Sequence, residues 1–364
     1  MSETTRPLVS PFPQPGVLGR LHRQFFRTPF DAVVTALCLL AALFVGWKLL
    51  DWAVLNAVWT SQDGTSQVCR NSGGACWAVI DARWRLIMFG VFPYEEQWRA
   101  ALATAVLIAT GILSCLPVFW TMRRLAALWL LGFGLFLILM GGGFFGLAPV
   151  APAKWGGLAL TLFFFAAVVI IGMPVSVVLA LMRRSDLPVV RVTAVVLIDG
   201  VRSLPLVTIL FTAALILPFV LPGWLQGDKI WRVIAGFALF FAAYQAEILR
   251  SGIQALPTGQ EEAAKALGMS YFQRVTRIVL PQAFRNALPP TISQLVITLM
   301  ETSLIVVIGF FDLMASGNAA YGTGEWSFAY VEVYVFIALV YGVFVFSLSR
   351  YGRYLERRLR VGSH

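Results

Sequence analysis

The sequence predicts an all-α polytopic membrane protein with about eight transmembrane helices, on three observations. Of 364 residues, 59% are apolar and only 13% are Asp, Glu, Lys or Arg, about half the charged share of a soluble domain. Mean hydropathy is +0.79. There is too little charge to cover the surface of the two or three globular domains that the length alone would allow. Apolar stretches long enough to cross about 30 Å of hydrocarbon as helices recur along the chain. Lys and Arg recur on alternate connections between them, as on the cytoplasmic loops of membrane proteins. The net charge of +10 is therefore no argument for nucleic acid. Four Cys and two His, one of them the last residue, leave little for a metal site, and neither zinc nor haem chemistry is indicated.

The apolar stretches lie near Phe30–Leu50, Ala101–Trp120, Ala126–Leu147, Trp155–Met182, Leu204–Leu221, Val233–Tyr244, Ala287–Phe311 and Phe328–Leu348. The sixth is short and is read as extending to Leu249, with Gln245 and Glu247 near the inner surface. Arg20, Arg23 and Arg27 precede a first span too long for a signal-peptide core, with no small-residue cleavage site after it. With the N-terminus inside, the inner segments hold 19 Lys and Arg and the outer ones 8, Arg202 being unassigned. Both termini are therefore expected in the cytoplasm. The organisation that follows is a cytoplasmic tail at 1–29 and a transmembrane extension at 30–150 with an external loop at 51–99. A core at 151–350, with an inner loop at 250–286, and a cytoplasmic tail at 351–364 complete it.

Gly172 and Pro174 interrupt the fourth span, Pro218 and Pro222 the end of the fifth, and Pro289 and Pro290 the start of the seventh. Bent or broken helices can line a solvated pathway, although Gly and Pro also occur in ordinary membrane helices. The GGGFFG stretch at Gly141–Gly146 reads either as close helix packing or as a span end. In the external loop, Cys69 and Cys76 enclose Gly73 and Gly74. An oxidising compartment would let them close a short loop, worth about 2.5 kcal/mol by chain entropy; two free thiols are the alternative. Cys38 and Cys115 read as small apolar residues within spans.

The inner loop between the sixth and seventh spans is unlike a linker. Pro257 stops one element, and Thr258 is placed to cap a new helix with Glu261 three residues on. Glu261–Leu267 are strong helix formers, ended by Gly268. Ser270 with Gln273 repeats the capping pattern before a second helix, which Pro281 ends or kinks. Ala263 and Ala264 make the first helix slender on one side, fit to enter a groove on another protein, with Glu262 and Lys265 as its charges. A loop lying on lipid headgroups would explain Tyr271 and Phe272, but neither the small residues nor the glycine turn.

Glu262-Ala263-Ala264, then Gly268, then Ile278-Val279-Leu280-Pro281 resemble the "EAA" loop of ABC importer permeases at every fixed position. Ala243–Arg250, Gln254–Gln260, Arg202–Leu206 and Glu301–Leu304 resemble the polar amino-acid branch. Arg202-Ser203 departs mildly from that branch's usual Arg-Gly. The likeness spans about Trp155–Arg358, and the spans before it resemble the longer permeases of general L-amino-acid uptake. It implies a type I ABC importer permease core with extra N-terminal helices, in the bacterial inner membrane. It also implies a sister permease, two ATPase subunits and a periplasmic amino-acid-binding protein as partners, beside the lipid bilayer. Glu261, Glu262, Ala263, Ala264, Gly268, Ile278, Leu280 and Pro281 would couple the chain to an ATPase. Arg202, Glu301, Thr302 and Ser303 are the candidates for the substrate pathway. The chain has no GxxxxGK[ST] stretch and is not expected to hydrolyse ATP by that mechanism. ATP and Mg would sit on the partner ATPases, and no cofactor is expected on this chain.

Three other readings compete. An ion-coupled secondary transporter would need intramembrane carboxylates, for which Asp199, Glu247, Glu301, Asp312 and Glu332 are the candidates; most of them lie near span ends. A membrane enzyme would need a clustered nucleophile, base or metal set, and the internal histidine, His22, precedes the first span. A structural membrane subunit without transport activity would share the spans but not depend on the glycine turn.

Overall fold

The computed structural model describes residues 24–61, 65–70, 72–322 and 324–360, together with Gly16. Arg20, His22, Arg23 and the last four residues, parts of the two expected tails, lie outside the described residues. The chain forms two compact units, Met1–Ala78 and Val79–His364. The helices between residues 97 and 141 thus group with 151–350 rather than with the first span.

The first unit holds α1 (Pro29–Leu50), prolonged by a π turn at Asp51–Leu55. Thr28 starts α1 with a capping box. Its Oγ1 accepts from the Asp31 N–H at 3.1 Å and its own N–H donates to the Asp31 carboxylate at 3.2 Å. No residue of α1 is buried, as suits an all-round apolar helix whose surroundings are lipid. Beyond it, Cys69 and Cys76 are joined, with Cα atoms 5.5 Å apart. The Trp77 indole N–H donates to the Ala53 carbonyl at 2.8 Å, and its ring stacks on Trp59 at 6.0 Å.

The second unit opens with α2 (Ala78–Phe89), α3 (Gln97–Ser114), α4 (Met122–Gly141), α5 (Gly157–Arg183) and α6 (Pro188–Arg202). After α7 (Leu206–Phe211) come a π turn at Thr212–Ile216 and a helical turn at Leu217–Val220, then α8 (Lys229–Gln254), α9 (Thr258–Ala266) and α10 (Tyr271–Arg274). A further π turn, Val275–Val279, leads into α11 (Leu280–Glu301), which tightens to 3-10 geometry over Thr302–Ile308. α12 (Leu313–Gly322) and α13 (Tyr330–Arg360) complete the unit. Among the described residues of the chain, seven helices are long and apolar enough to cross a membrane, or eight if α6 and the 206–220 segment form one bent span.

The fifth span ends before Pro222, as the sequence suggests, with Leu221 extended; the other breaks fall where the sequence reading did not put them. α5 runs unbroken past Gly172 and Pro174. Gly172 serves a close approach instead, since a Cβ there would lie 2.6 Å from the Phe241 ring and 2.9 Å from the Ala238 carbonyl of α8. Pro289 and Pro290 lie inside α11, and Pro281 neither ends nor breaks the helix but stands in its first turn. Pro281 has no N–H to give the ladder. The ladder widens just before it, with the Leu280 N–H bonded to the Val275 carbonyl across the π turn. The real discontinuity is at Ser203-Leu204-Pro205, where the chain turns by 104° between α6 and the 206–220 segment. Proline at 205 disfavours helical geometry at Leu204.

An aromatic cluster ties α4 to the centre of the unit. Phe163 of α5 stacks on Phe136 at 5.2 Å and Phe133 at 5.3 Å, and meets Trp231 of α8 edge-on at 5.9 Å. Arg99 of α3 is fully buried and terminates α4. Its Nε donates to the Leu139 carbonyl at 2.8 Å and its Nη1 to the Ala148 carbonyl at 2.9 Å, with Glu96 at 3.2 Å as counter-ion. Two carbonyls at a span end thereby gain a charged donor. The GGGFFG stretch is thus a span end. Gly142 takes φ +67 and ψ −153, a region open in practice to glycine alone.

A Cβ on Gly142 would lie 2.1 Å from the Ala148 carbonyl oxygen and 2.6 Å from Arg99 Nη2, whereas one on Gly143, also at positive φ, would meet open space. Both alanine substitutions carry backbone strain of about 1–3 kcal/mol, and Gly142→Ala adds the clash. Thermal unfolding of the purified chain in detergent should therefore show a lower midpoint for Gly142→Ala than for Gly143→Ala. Equal midpoints would remove the Arg99 clamp as the reason for glycine at 142.

Candidate functional site

The glycine turn closes α9 as a Schellman motif. The Met269 N–H reaches the Ala264 carbonyl at 3.1 Å and the Gly268 N–H reaches the Lys265 carbonyl at 3.0 Å, with Gly268 at φ +74. Ser270 then caps α10. Its Oγ accepts from the Gln273 N–H at 3.3 Å, and the Gln273 side chain accepts from the Ser270 N–H at 2.9 Å. The expected Thr258–Glu261 box does not form. Pro257 occupies the N-cap position, with no side-chain cap, and the Glu261 carboxylate is turned away to Arg184 in an ion pair.

Ala263 and Ala264 do not share a face. Successive residues of a helix stand about 100° apart, and here Ala264 is buried while Glu262, Ala263, Lys265 and Ala266 are exposed. The exposed side continues into Leu267, 82% exposed, and Phe272, 74% exposed. Ile278 and Leu280 are half-buried beneath it, and Pro281 is exposed. The inward side is fastened by the Arg184 pair and by the Gln282 side-chain N–H, which donates to Gln260 Oε1 at 2.7 Å. α9 is therefore a short projecting helix whose outer face is free of the rest of the unit and whose inner face is held to α5 and α11.

Beneath α9, one carboxylate gathers three guanidiniums. Glu247 of α8, its side chain 15% exposed, lies 2.9 Å from Arg250, 3.1 Å from Arg183 and 3.8 Å from Arg202. The Arg250 contact is a hydrogen-bonded fork at 3.0 and 2.9 Å. The Arg183 contact is an ion pair without hydrogen-bond alignment at Glu247 Oε1. Arg183 also pairs with Asp199 of α6 at 2.9 Å. A cavity of about 540 Å³ opens between this network and α9, lined by Arg183, Arg184, Arg191, Arg250, Glu261 and Gln282 among others. Sequence reasoning missed the hub. The signals were present: the Arg183-Arg184 pair at a span end, and Glu247 three residues before Arg250 in one helix.

The pathway candidates divide into two places. Arg202 makes its ion pair with Glu247 and not with Asp199, three residues earlier in α6, which is held by Arg183. It sits against Glu247 and over the Tyr244 ring at 5.2 Å. Glu301, Thr302 and Ser303 lie at the passage from α11 into its 3-10 extension. Thr302 is fully buried and donates to the Leu299 carbonyl at 2.6 Å; Ser303 donates to the Met300 carbonyl at 2.8 Å. Glu301 Oε2 is shielded and makes no hydrogen bond among the described residues. Asp312, a carboxylate considered for ion coupling, accepts from the Ala315 N–H at 2.9 Å at the start of α12. A second buried polar pair, unforeseen from sequence, joins Gln245 of α8 to Thr291 of α11 at 2.8 Å.

Comparison with known proteins identifies the family. Residues 172–361 match the family described as "Binding-protein-dependent transport system inner membrane component". The Escherichia coli "Inner membrane amino-acid ABC transporter permease protein YhdY" is 36% identical over 342 residues, covering 92% of this chain and 91% of the relative. The Rhodobacter capsulatus "Glutamate/glutamine/aspartate/asparagine transport system permease protein BztC" is 32% identical, covering 99% of this chain and 97% of the relative. A solved structure described as "Crystal structure of an amino acid ABC transporter with histidines" is 31% identical, with a TM-score of 0.49, and covers 56% of this chain and 92% of that one. This multi-pass chain, a transport subunit and not itself an enzyme, belongs to the inner-membrane permease components of binding-protein-dependent ABC import systems.

Proposed function

We propose that this chain lines the translocation pathway of an ATP-driven importer of L-amino acids, together with a sister permease subunit, and that its specificity is broad. The observation that carries the mechanism is α9, bare on its outer face along Glu262, Ala263 and Leu267 and tied on its inner face to Arg184. Such a helix suits a groove on one of two ATPase subunits, which bind ATP and Mg while this chain binds neither. A periplasmic binding protein delivers the substrate. The charge bias of 19 against 8 supports an orientation with both termini in the cytoplasm, the same side as α9. Amino acids as cargo, and a range of them, are supported by the likeness to relatives named for amino-acid transport, one of them for acidic and amide residues together.

Arg202 is read as structural, since Glu247 and Tyr244 already hold it. Glu301 is read as bonding to the sister permease rather than to substrate, because its shielded oxygen has no hydrogen-bond partner among the described residues and an unpaired carboxylate in a span is costly.

Gly268→Val places a β-branched residue at positive φ, at a cost of about 1–2 kcal/mol or more, and should uncouple α9. Copurification of the ATPase and uptake by membrane vesicles are both expected to fall, with the chain still inserted. Undiminished uptake by a well-folded variant would sink the docking role. Glu247→Gln leaves Arg183, Arg202 and Arg250 with a neutral partner. Discounted for partial exposure, the loss is on the order of 2 kcal/mol, read as a lower thermal midpoint that high salt narrows. An unchanged midpoint at low salt would show that the three arginines do not depend on this carboxylate. In the reconstituted importer, acidic, basic and neutral L-amino acids should all compete for uptake; competition by a single class would refute broad specificity. Glu301→Gln should lower uptake of all classes alike, or prevent assembly, whereas a changed ranking of basic over acidic substrates would move Glu301 into the pathway.

A further inference from the structure

We propose that the open-sided groove between α3, α5, α11 and α13 is a binding site for one anionic phospholipid, with an acyl chain in the groove and the headgroup on Arg124 and Arg358. The groove has a volume of about 450 Å³ and is walled by residues that include Leu107, Gly111, Phe165, Leu299, Phe344 and Tyr351. Its hydroxyl and thiol side chains are spent on neighbouring carbonyls. Tyr351 Oη donates to Cys115 O at 3.2 Å, Ser347 Oγ to Val343 O at 2.7 Å and Cys115 Sγ to Gly111 O at 3.4 Å. The wall therefore presents mainly hydrocarbon, with the Trp129 indole of α4 as its other polar group, and suits an alkyl chain better than a polar solute.

One end of the groove is strongly basic. Tyr351 marks it, and Arg358 follows on the same helix seven residues later, about 10 Å along the axis at 1.5 Å per residue. The Arg358 guanidinium lies 5.1 Å over the Trp120 ring and donates to Tyr354 Oη at 3.3 Å. Arg124 reaches the same corner, its Nη1 donating to Val118 O at 2.9 Å. Among the described residues neither arginine pairs with a carboxylate. Arg123, Arg350, Arg353 and Arg357 add to the charge, and Glu356 is the one acid in residues 116–124 and 350–358. A narrow hydrocarbon slot that ends at uncompensated guanidiniums is complementary to an amphiphile with an anionic end. A basic pocket between membrane helices at headgroup depth is the setting in which such lipids are held. The trapping Trp120 ring fixes Arg358 at that depth. The inference is independent of the docking role of α9; under the orientation proposed above, the mouth lies in the cytoplasmic leaflet.

The test uses the full chain in nanodiscs of mixed phosphatidylglycerol and phosphatidylcholine, released into detergent and weighed by native mass spectrometry for retained lipid. The unsubstituted chain should retain one phosphatidylglycerol in preference to phosphatidylcholine. Arg124→Gln with Arg358→Gln should lower phosphatidylglycerol retention by roughly tenfold or more, the scale expected for two cations at an anionic headgroup, and leave the two lipids equal. Gly111→Phe, at a position where a Cβ meets open space, should fill the groove and remove both. Circular dichroism and size-exclusion profiles confirm folding, and the arginine pair, being exposed, provides the decisive comparison if Gly111→Phe misfolds. Equal retention of the two lipids by the unsubstituted chain, no retained lipid, or a phosphatidylglycerol preference that survives the arginine substitutions would each overturn the proposal.

Discussion

The arrangement of the inner end of the second unit depends on the attraction between Glu247 and the arginines around it. Arg183, Arg202 and Arg250 come from three helices, α5, α6 and α8. Three guanidiniums gathered without a carboxylate would repel, and in a partly desolvated site the repulsion would be poorly screened. Glu247, with Asp199 on the far side of Arg183, makes that gathering favourable and so decides where the ends of the three helices meet. The next residue after Arg183 carries the effect outward. Arg184 leaves the same helix end and holds Glu261, so α9 is referenced to the spans through two adjacent side chains of one helix. A movement of α5 would be felt at α9 through this short covalent and ionic link, without passing through a flexible loop.

A second constraint shapes the spans. In lipid, each backbone polar group needs an internal partner, so irregularities are resolved within the helix rather than by exposing backbone. The π turn at Thr212–Ile216 does this within a span, and the one at Val275–Val279 does the same in the inner loop. Each keeps an i+5 hydrogen bond, Leu217 to Thr212 and Leu280 to Val275, immediately before a proline at 218 or 281 removes a donor. Proline thus marks a re-spaced ladder at these two places and a helix boundary at others, Pro188, Pro222 and Pro257 among them. The 104° turn at Ser203–Pro205 is such a boundary, and it lies beside the charged cluster, where Tyr244 Oη donates to the Arg202 carbonyl at 3.4 Å.

These two constraints explain what was legible in the sequence. Apolar length gave α1 and α5 to within two residues at either end, because a helix in hydrocarbon has few alternatives; α8 and α13 run on past the apolar stretch, to Gln254 and Arg360. The glycine turn and the Ser270–Gln273 cap were legible because they are local, each fixed by residues within six positions of one another. The Thr258–Glu261 cap was equally plausible locally and did not form, since Arg184, 77 residues away in sequence, is a stronger partner for Glu261 than a backbone N–H. Glu247 was visible as a carboxylate near a span end, with Arg250 three residues on in the same helix, but Arg183 and Arg202 come from two other helices and no spacing rule joins them to it. α6 was hidden for a similar reason. It is amphipathic and carries Arg191, so it read as a loop, and its Ala194 and Ile198 become buried only against the other spans.

The same distinction separates the two faces of α9. Its inner face is set by long-range partners and could be known only from the fold. Its outer face is set by what is missing there: Ala263 and Ala266 instead of larger side chains, and Leu267 and Phe272 left exposed beside Glu262 and Lys265. Exposed apolar side chains outside the spans are unfavourable in water and become favourable when a partner covers them. Small residues between them let that partner approach the backbone. Under the docking role proposed for it, a helix held on one side by charge and left uncovered on the other would transmit force only when the second side is occupied.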